Sequence, residues 1–259
     1  MVHLALDTNI WLYLAEGQHP FVIKGLIEKA KSGDITLLTN DEIIAEWDRN
    51  KATSLYKTRQ NILSQVESSK ALADLVQPLD INTYKTALTS LISSEKTLLD
   101  AVQKRFDDVD DLLRNHSVIV PITDSQKLQV IEWALKQQAP FHRKKNSVAD
   151  ALILLSSVDY IKENGVNLVN FNRIDVPDSV FVSYNSDDFS KGIKGADKNE
   201  IHPDLAQLLA TVGMRYERNF GNILKLEADM RAEIDRYLEY VEERIMDQYE
   251  WDAEVARGR

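Results

Sequence analysis

"VHLALDTNIWLYL", residues 2–14, is almost unbroken apolar sequence on either side of three polar residues, Asp7, Thr8 and Asn9. The opening stretch, 2–6, does not alternate as a strand with one wet face would. It reads as a strand buried on both faces, the kind found in parallel sheets covered by helices on each side. A bare carboxylate at the end of such a strand costs several kcal/mol unless something pairs with it. Asp7 therefore needs a chemical reason to be there.

Outward from this strand the chain keeps an α/β rhythm. Residues 20–31 have the spacing of a helix, with Val22, Leu26 and Ile27 on one side, and Ser32-Gly33 ends it. Residues 35–38 form a second strand. Thr39 or Asn40 then caps a helix whose first turn holds Asp41 and Glu42, favourable at the positive end of the dipole. Residues 53–115 read as a helical insertion beside the sheet, because apolar residues from Leu88 to Leu113 keep a helical period. Residues 118–122 are a short strand candidate. A helix spans 147–162, and strands are expected at 168–171 and 180–183. From Pro203 onward the pattern is helical and polar, with a stripe from Ile223 to Ile245 at helical spacing.

The totals bound the function. The chain has 259 residues, no cysteine and a formal charge of −10, so disulfides and thiolate zinc sites are excluded. From Glu200 onward there are 14 acidic and 8 basic residues, so most of the net negative charge lies in the tail. No window carries the ~18 apolar residues of a membrane span, and no signal peptide is recognisable. The expected location is cytoplasmic, with no membrane partner.

Ligands bind at the carboxyl ends of strands in open parallel sheets, where neighbouring connections diverge. Asp7 sits at such an end. Glu46 lies on the helix after the second strand, Asp150 in the first turn of the 147–162 helix, and Asp187 and Asp188 after the 180–183 strand. Carboxylates gathered in one crevice need a counter-charge, and Mg²⁺ or Mn²⁺ suits an all-oxygen donor set. The usual chemistry of such a site is phosphodiester hydrolysis.

Four stretches in this order resemble the PIN-domain nuclease family over most of residues 1–190. "LALDTNIWL" is similar to the opening motif, with Asp7 as first metal ligand and Asn9 as its polar companion. "TNDEIIAEW" places Glu46 at the second acidic position, and "KKNSVADALILL" places Asp150 at the third. "FVSYNSDDF" is similar to the closing motif, with Ser183 as the small hydroxyl residue. There Asn185 stands where many relatives place Asp, so the fourth acidic role falls to Asp188, with Asp187 as fallback.

The resemblance implies a three-layer α/β fold with a central, mostly parallel sheet. It implies a PIN-like nuclease domain over 1–195 and a helical acidic extension over 196–259. It also implies a metal-dependent nuclease acting on RNA, or on single-stranded DNA, through Mg²⁺ or Mn²⁺ held by Asp7, Glu46, Asp150 and Asp188. Toxin, RNA-processing and phage-defence roles all fit such an enzyme.

Two other classes compete with this reading. A haloacid-dehalogenase-like phosphatase also opens with a strand ending in Asp, but it needs a second Asp at the position of Asn9. A catalytically silent PIN-like scaffold would bind RNA or protein without cutting. The bland reading of each acid is a turn residue, a helix cap or a surface pair, and it is the four together that oppose it. "HRKK", residues 142–145, is the strongest basic cluster, and Arg143, Lys144 and Lys145 are candidate phosphate contacts. Trp11, Trp47 and Trp133 could stack on bases, although core packing is the commoner use. The tail stripe is expected to pack on its own domain, with a homo-oligomer or a regulatory partner as the alternative.

Overall fold

The computed structural model describes residues 2–17, 20–75, 95–143, 147–164 and 179–218, with residues 86 and 90 besides. Five parallel strands form one sheet: β1 (Val2–Leu6), β2 (Ile35–Thr39), β3 (Ser117–Ile119), β4 (Ser179–Val182) and β5 (Arg215–Glu217), in the order β3-β2-β1-β4-β5. β1 lies at the centre, with Leu4 opposite Leu37 on one side and Val180 on the other. All five of its residues are buried, so the absence of alternation reflects cover on both faces. The strand order reverses between β1 and β4. The crevice for a ligand therefore lies at the carboxyl end of β1, next to Asp7.

The polar break after β1 is a strand-to-helix turn. The Asp7 amide donates to the Val182 carbonyl at 3.0 Å, and its own carbonyl accepts from Ile10 at 2.9 Å, which starts α1 (Thr8–Glu16) directly. Asp7 is the N-cap, yet its side chain does not cap, so the carboxylate points to other work. α2 (Pro20–Ser32) returns to β2. Of the two candidate caps for the next helix, Asn40 is the one used: its Oδ1 accepts from the Ile43 amide at 3.0 Å, and its Nδ2 donates to Ser156 at 3.3 Å.

That helix, α3 (Asp41–Leu75), runs on without a break across the expected start of the insertion at residue 53. α4 (Glu95–Asn115) packs against both α3 and α1. Its Val102, Phe106, Val109, Leu112 and Leu113 join the main core, where Phe106 stacks on Trp47 with ring centroids 6.0 Å apart. β3 follows, two residues shorter than expected, and then α5 (Asp124–Leu135), α6 (Val148–Asn164) and the single turn α7 (Ser186–Phe189). α6 covers β1 and β2.

The segment expected to be helical after Pro203 differs. α8 (Pro203–Ala210) is helical, but Gly213, at φ +65°, turns the chain into β5, which pairs with β4. Burial of Met214 and Tyr216 drives this, with the Tyr216 ring 6.2 Å from Phe181. The expected strand at 168–171, residues Lys144 and Lys145, and the stripe after Ile223 lie outside the described residues.

Candidate active site at the carboxyl edge of the sheet

Asp7 is 1% exposed and Asp188 2% exposed, while Glu46 and Asp150 are half-buried. Asp7, Glu46 and Asp188 are each held by a neutral side-chain donor. The Ser183 hydroxyl donates to Asp7 Oδ2 at 2.7 Å, and Ser183 in turn accepts from the Asn185 amide at 2.9 Å. The Thr8 hydroxyl donates to Glu46 Oε2 at 2.9 Å. Asp188 Oδ2 accepts from Asn185 Nδ2 at 2.6 Å and from Ser147 Oγ at 3.1 Å. Asp188 Oδ1 is buried with no hydrogen-bond partner.

The acids feel one another strongly. Burial, reinforced by the charges of Asp7 and Asp188, pushes Asp150 up to about 9, and Asp150 is the protonated donor in a hydrogen bond to Asp7. Burial also raises Asp7, against the Ser183 hydrogen bond that favours its charged form, and Glu46 adds repulsion. The edge thus holds more carboxylates than it can keep ionised unaided. Among the described residues, no group of three or more His, Cys, Asp or Glu is disposed to hold a metal ion. A hydrogen bond between Asp150 and Asp7 and the hydroxyls of Ser183 and Thr8 set the positions of these acids. An all-oxygen set with one buried, unpaired carboxylate oxygen fits a hard divalent cation.

The other expected residues fall as follows. Asn9 is exposed on α1, and Asn185 is the N-cap of α7, where its side chain orients Asp188. Asp187 is turned to Arg143, in an ion pair of 2.9 Å between partly exposed side chains. Of the basic cluster, the described Arg143 is therefore spent on an acid beside the site. His142 lies against His202, with ring centroids 4.5 Å apart and planes tilted by 34°. Trp11 and Trp47 are fully buried, so neither can meet a base, and the half-buried Trp133 packs on the core.

Two supporting residues escaped the sequence reading. Thr8 follows Asp7 directly, and Ser147 precedes α6 in the manner of a cap. Adjacency to Asp7 was the available signal for Thr8, and a cap position three residues before Asp150 for Ser147, but the acid each one serves lies 38 and 41 residues away. Among the described residues no helix is long and apolar enough to cross a membrane.

Comparison with known families agrees with this geometry. The family model described as "PIN domain" matches residues 4–189, from within β1 to the end of α7. No match was found among curated proteins or among solved structures. PIN domains are generally nucleases that use divalent metal ions and act on nucleic acid. The parallel sheet, the acids at its carboxyl edge and the family match over most of the chain lead to one assignment: the protein belongs to the PIN-domain family.

Proposed function

We propose that this protein is a metal-dependent nuclease that hydrolyses phosphodiester bonds of RNA, with Asp7, Glu46, Asp150 and Asp188 as the residues that hold Mg²⁺ or Mn²⁺. The observation that carries the reading is the convergence of acids from four separate elements on one edge, with Asp7 and Glu46 held by hydroxyls and Asp188 Oδ1 buried without a partner. A divalent cation held there would activate water and neutralise the charge that develops at phosphorus.

The remaining work belongs to the chain. Ser183 fixes one oxygen of Asp7, and Thr8 fixes one of Glu46. Asn185 and Ser147 together hold Asp188 Oδ2, which leaves Oδ1 for the cation. Asp150 gives up its proton as the cation is taken up, so binding is coupled to proton release. Asn185 brings no charge of its own and acts by aiming Asp188. Lys144 and Lys145 are the proposed phosphate contacts, while Arg143 stays in its ion pair with Asp187 beside the site.

The family resemblance favours RNA, and one assay separates the alternatives. Single-stranded RNA, single-stranded DNA and p-nitrophenyl phosphate are each incubated with the protein in Mn²⁺ and in chelator. Cleavage of the RNA in Mn²⁺ alone, abolished by Asp7→Asn, is the expected result. Cleavage of the small ester instead would indicate a phosphatase, and inertness toward all three would indicate a silent scaffold.

A further inference from the structure

The carboxyl edge carries more than acids. Tyr13 lies on α1, four residues past the exposed Asn9, and its ring meets Tyr184 edge-on, with centroids 5.3 Å apart and planes at 62°. Both rings are half-buried. Tyr184 directly follows Ser183, the residue that holds Asp7, so the aromatic pair is anchored on the segment that lines the acidic crevice. Arg218, the residue after β5, donates to the Tyr184 carbonyl at 3.2 Å and is itself half-buried. The Tyr216 hydroxyl donates to the Ser183 carbonyl at 3.4 Å, so Tyr216 and Arg218 both grip the Ser183-Tyr184 segment that holds Asp7.

A polyanion approaching four carboxylates needs both a cation close by and a foothold that does not depend on charge. Arg143 is engaged with Asp187. Arg218, by contrast, hydrogen-bonds a backbone carbonyl and forms no ion pair among the described residues. The buried Trp11 and Trp47 cannot stack, whereas the Tyr13-Tyr184 pair is a partly exposed aromatic surface. Stacking on an aromatic ring accepts any base but requires that base to be unpaired.

We infer that Tyr13, supported by Tyr184, and Arg218 seat one unpaired nucleotide of the substrate, its base on the Tyr13 ring and its phosphate at the guanidinium. This rests on the nuclease reading and goes beyond it: it names the residues that select an unpaired strand, one of which lies past the end of the family match at residue 189. Tyr13 and Arg218 are binding residues and take no part in the chemistry.

The test is equilibrium binding on the full chain, read by fluorescence anisotropy in calcium. The probes are a short labelled RNA, the same RNA in a duplex, and a series with one abasic site moved along the strand. The parent protein should bind the intact strand about tenfold tighter than the duplex, or than the strand with the abasic site at the sensitive position. Tyr13→Leu should lose about that factor and become indifferent to the abasic site, while Tyr13→Phe binds like the parent. Arg218→Gln should lower the slope of log affinity against log salt by about one, an arm that stands even where Tyr13→Leu does not fold. A Tyr13→Leu protein that keeps the abasic penalty, or an unchanged salt slope for Arg218→Gln, overturns the seat. If the parent cuts RNA while these variants bind as it does, only the seat fails. If the parent binds no nucleic acid, the seat and the nuclease reading fall together.

Discussion

Asp150 carries a proton that a carboxyl in water would have lost. Its value in the folded chain, about 9, lies above the ordinary 3.8, because burial and neighbouring charges penalise the ionised form. The folded state thus holds this proton more tightly than the unfolded chain does. The stability it contributes is complete below about pH 4 and drains away as pH rises toward 9. Metal-free protein should accordingly be less stable at pH 8 than at pH 5. Asp150→Asn removes the penalty, so in chelator at pH 8 it should raise the melting temperature by about 2–4 °C, roughly 1 kcal/mol for a chain this size, while abolishing cleavage. A lower melting temperature than the parent's would show that keeping this buried carboxyl protonated at pH 8 costs the fold nothing. Ser183→Ala has the opposite sign: it strips a partner from buried Asp7 Oδ2 and from the Asn185 amide, and should cost about 1–3 kcal/mol in urea unfolding.

At the scale of elements, the strands and helices with unmistakable periodicity were legible in the sequence. β1, β2, α2 and α6 fall within two residues of their expected bounds, because continuous apolar runs and clear stop signals define them. α1 was not read as a helix. Its first residues, Thr8 and Asn9, look like a bend until the turn at Asp7 is seen to pass directly into helical hydrogen bonds. β5 was also missed, since Arg-Tyr-Glu carries one apolar ring and becomes a strand only because β4 offers a partner and Phe181 a surface. The acids could be read because each stands at a strand end or in a helix's first turns. Of their hydroxyl partners Ser183 was named from its motif, but Thr8 and Ser147 were not, because their pairings with Glu46 and Asp188 depend on how distant elements meet. The cap of α3 belongs to this scale too. Asn40→Ala should cost about 1–2 kcal/mol in denaturant unfolding, since it frees the Ile43 amide and unties α3 from Ser156. A loss under about 0.3 kcal/mol would mean that neither contact anchors the helix that carries Glu46.

On the scale of the whole molecule, the segment after residue 195 and the helices of 53–115 are parts of one packed body wherever they are described. α4 feeds the main core, and β5 closes one edge of the sheet, where the Ser183 amide donates to the Glu217 carbonyl at 3.2 Å. A cut after Gly195 removes α8 and β5 together, with buried Leu205, Leu209, Met214 and Tyr216. Each large apolar side chain lost from a core is worth about 2–5 kcal/mol. The truncated chain should therefore lose its cooperative thermal transition by circular dichroism, and retention of that transition would show that the sheet stands without its fifth strand. The acids are drawn together by this same body, four elements converging on one edge, and the central claim is that a single cation relieves them. Its most direct test is calorimetric titration of Mn²⁺ into the chelator-stripped full chain at pH 8, in two buffers of different ionisation enthalpy. Binding should release about one proton per ion, and Asp7→Asn should weaken it at least tenfold. Absence of binding, or equal binding by Asp7→Asn without proton release, would contradict the account.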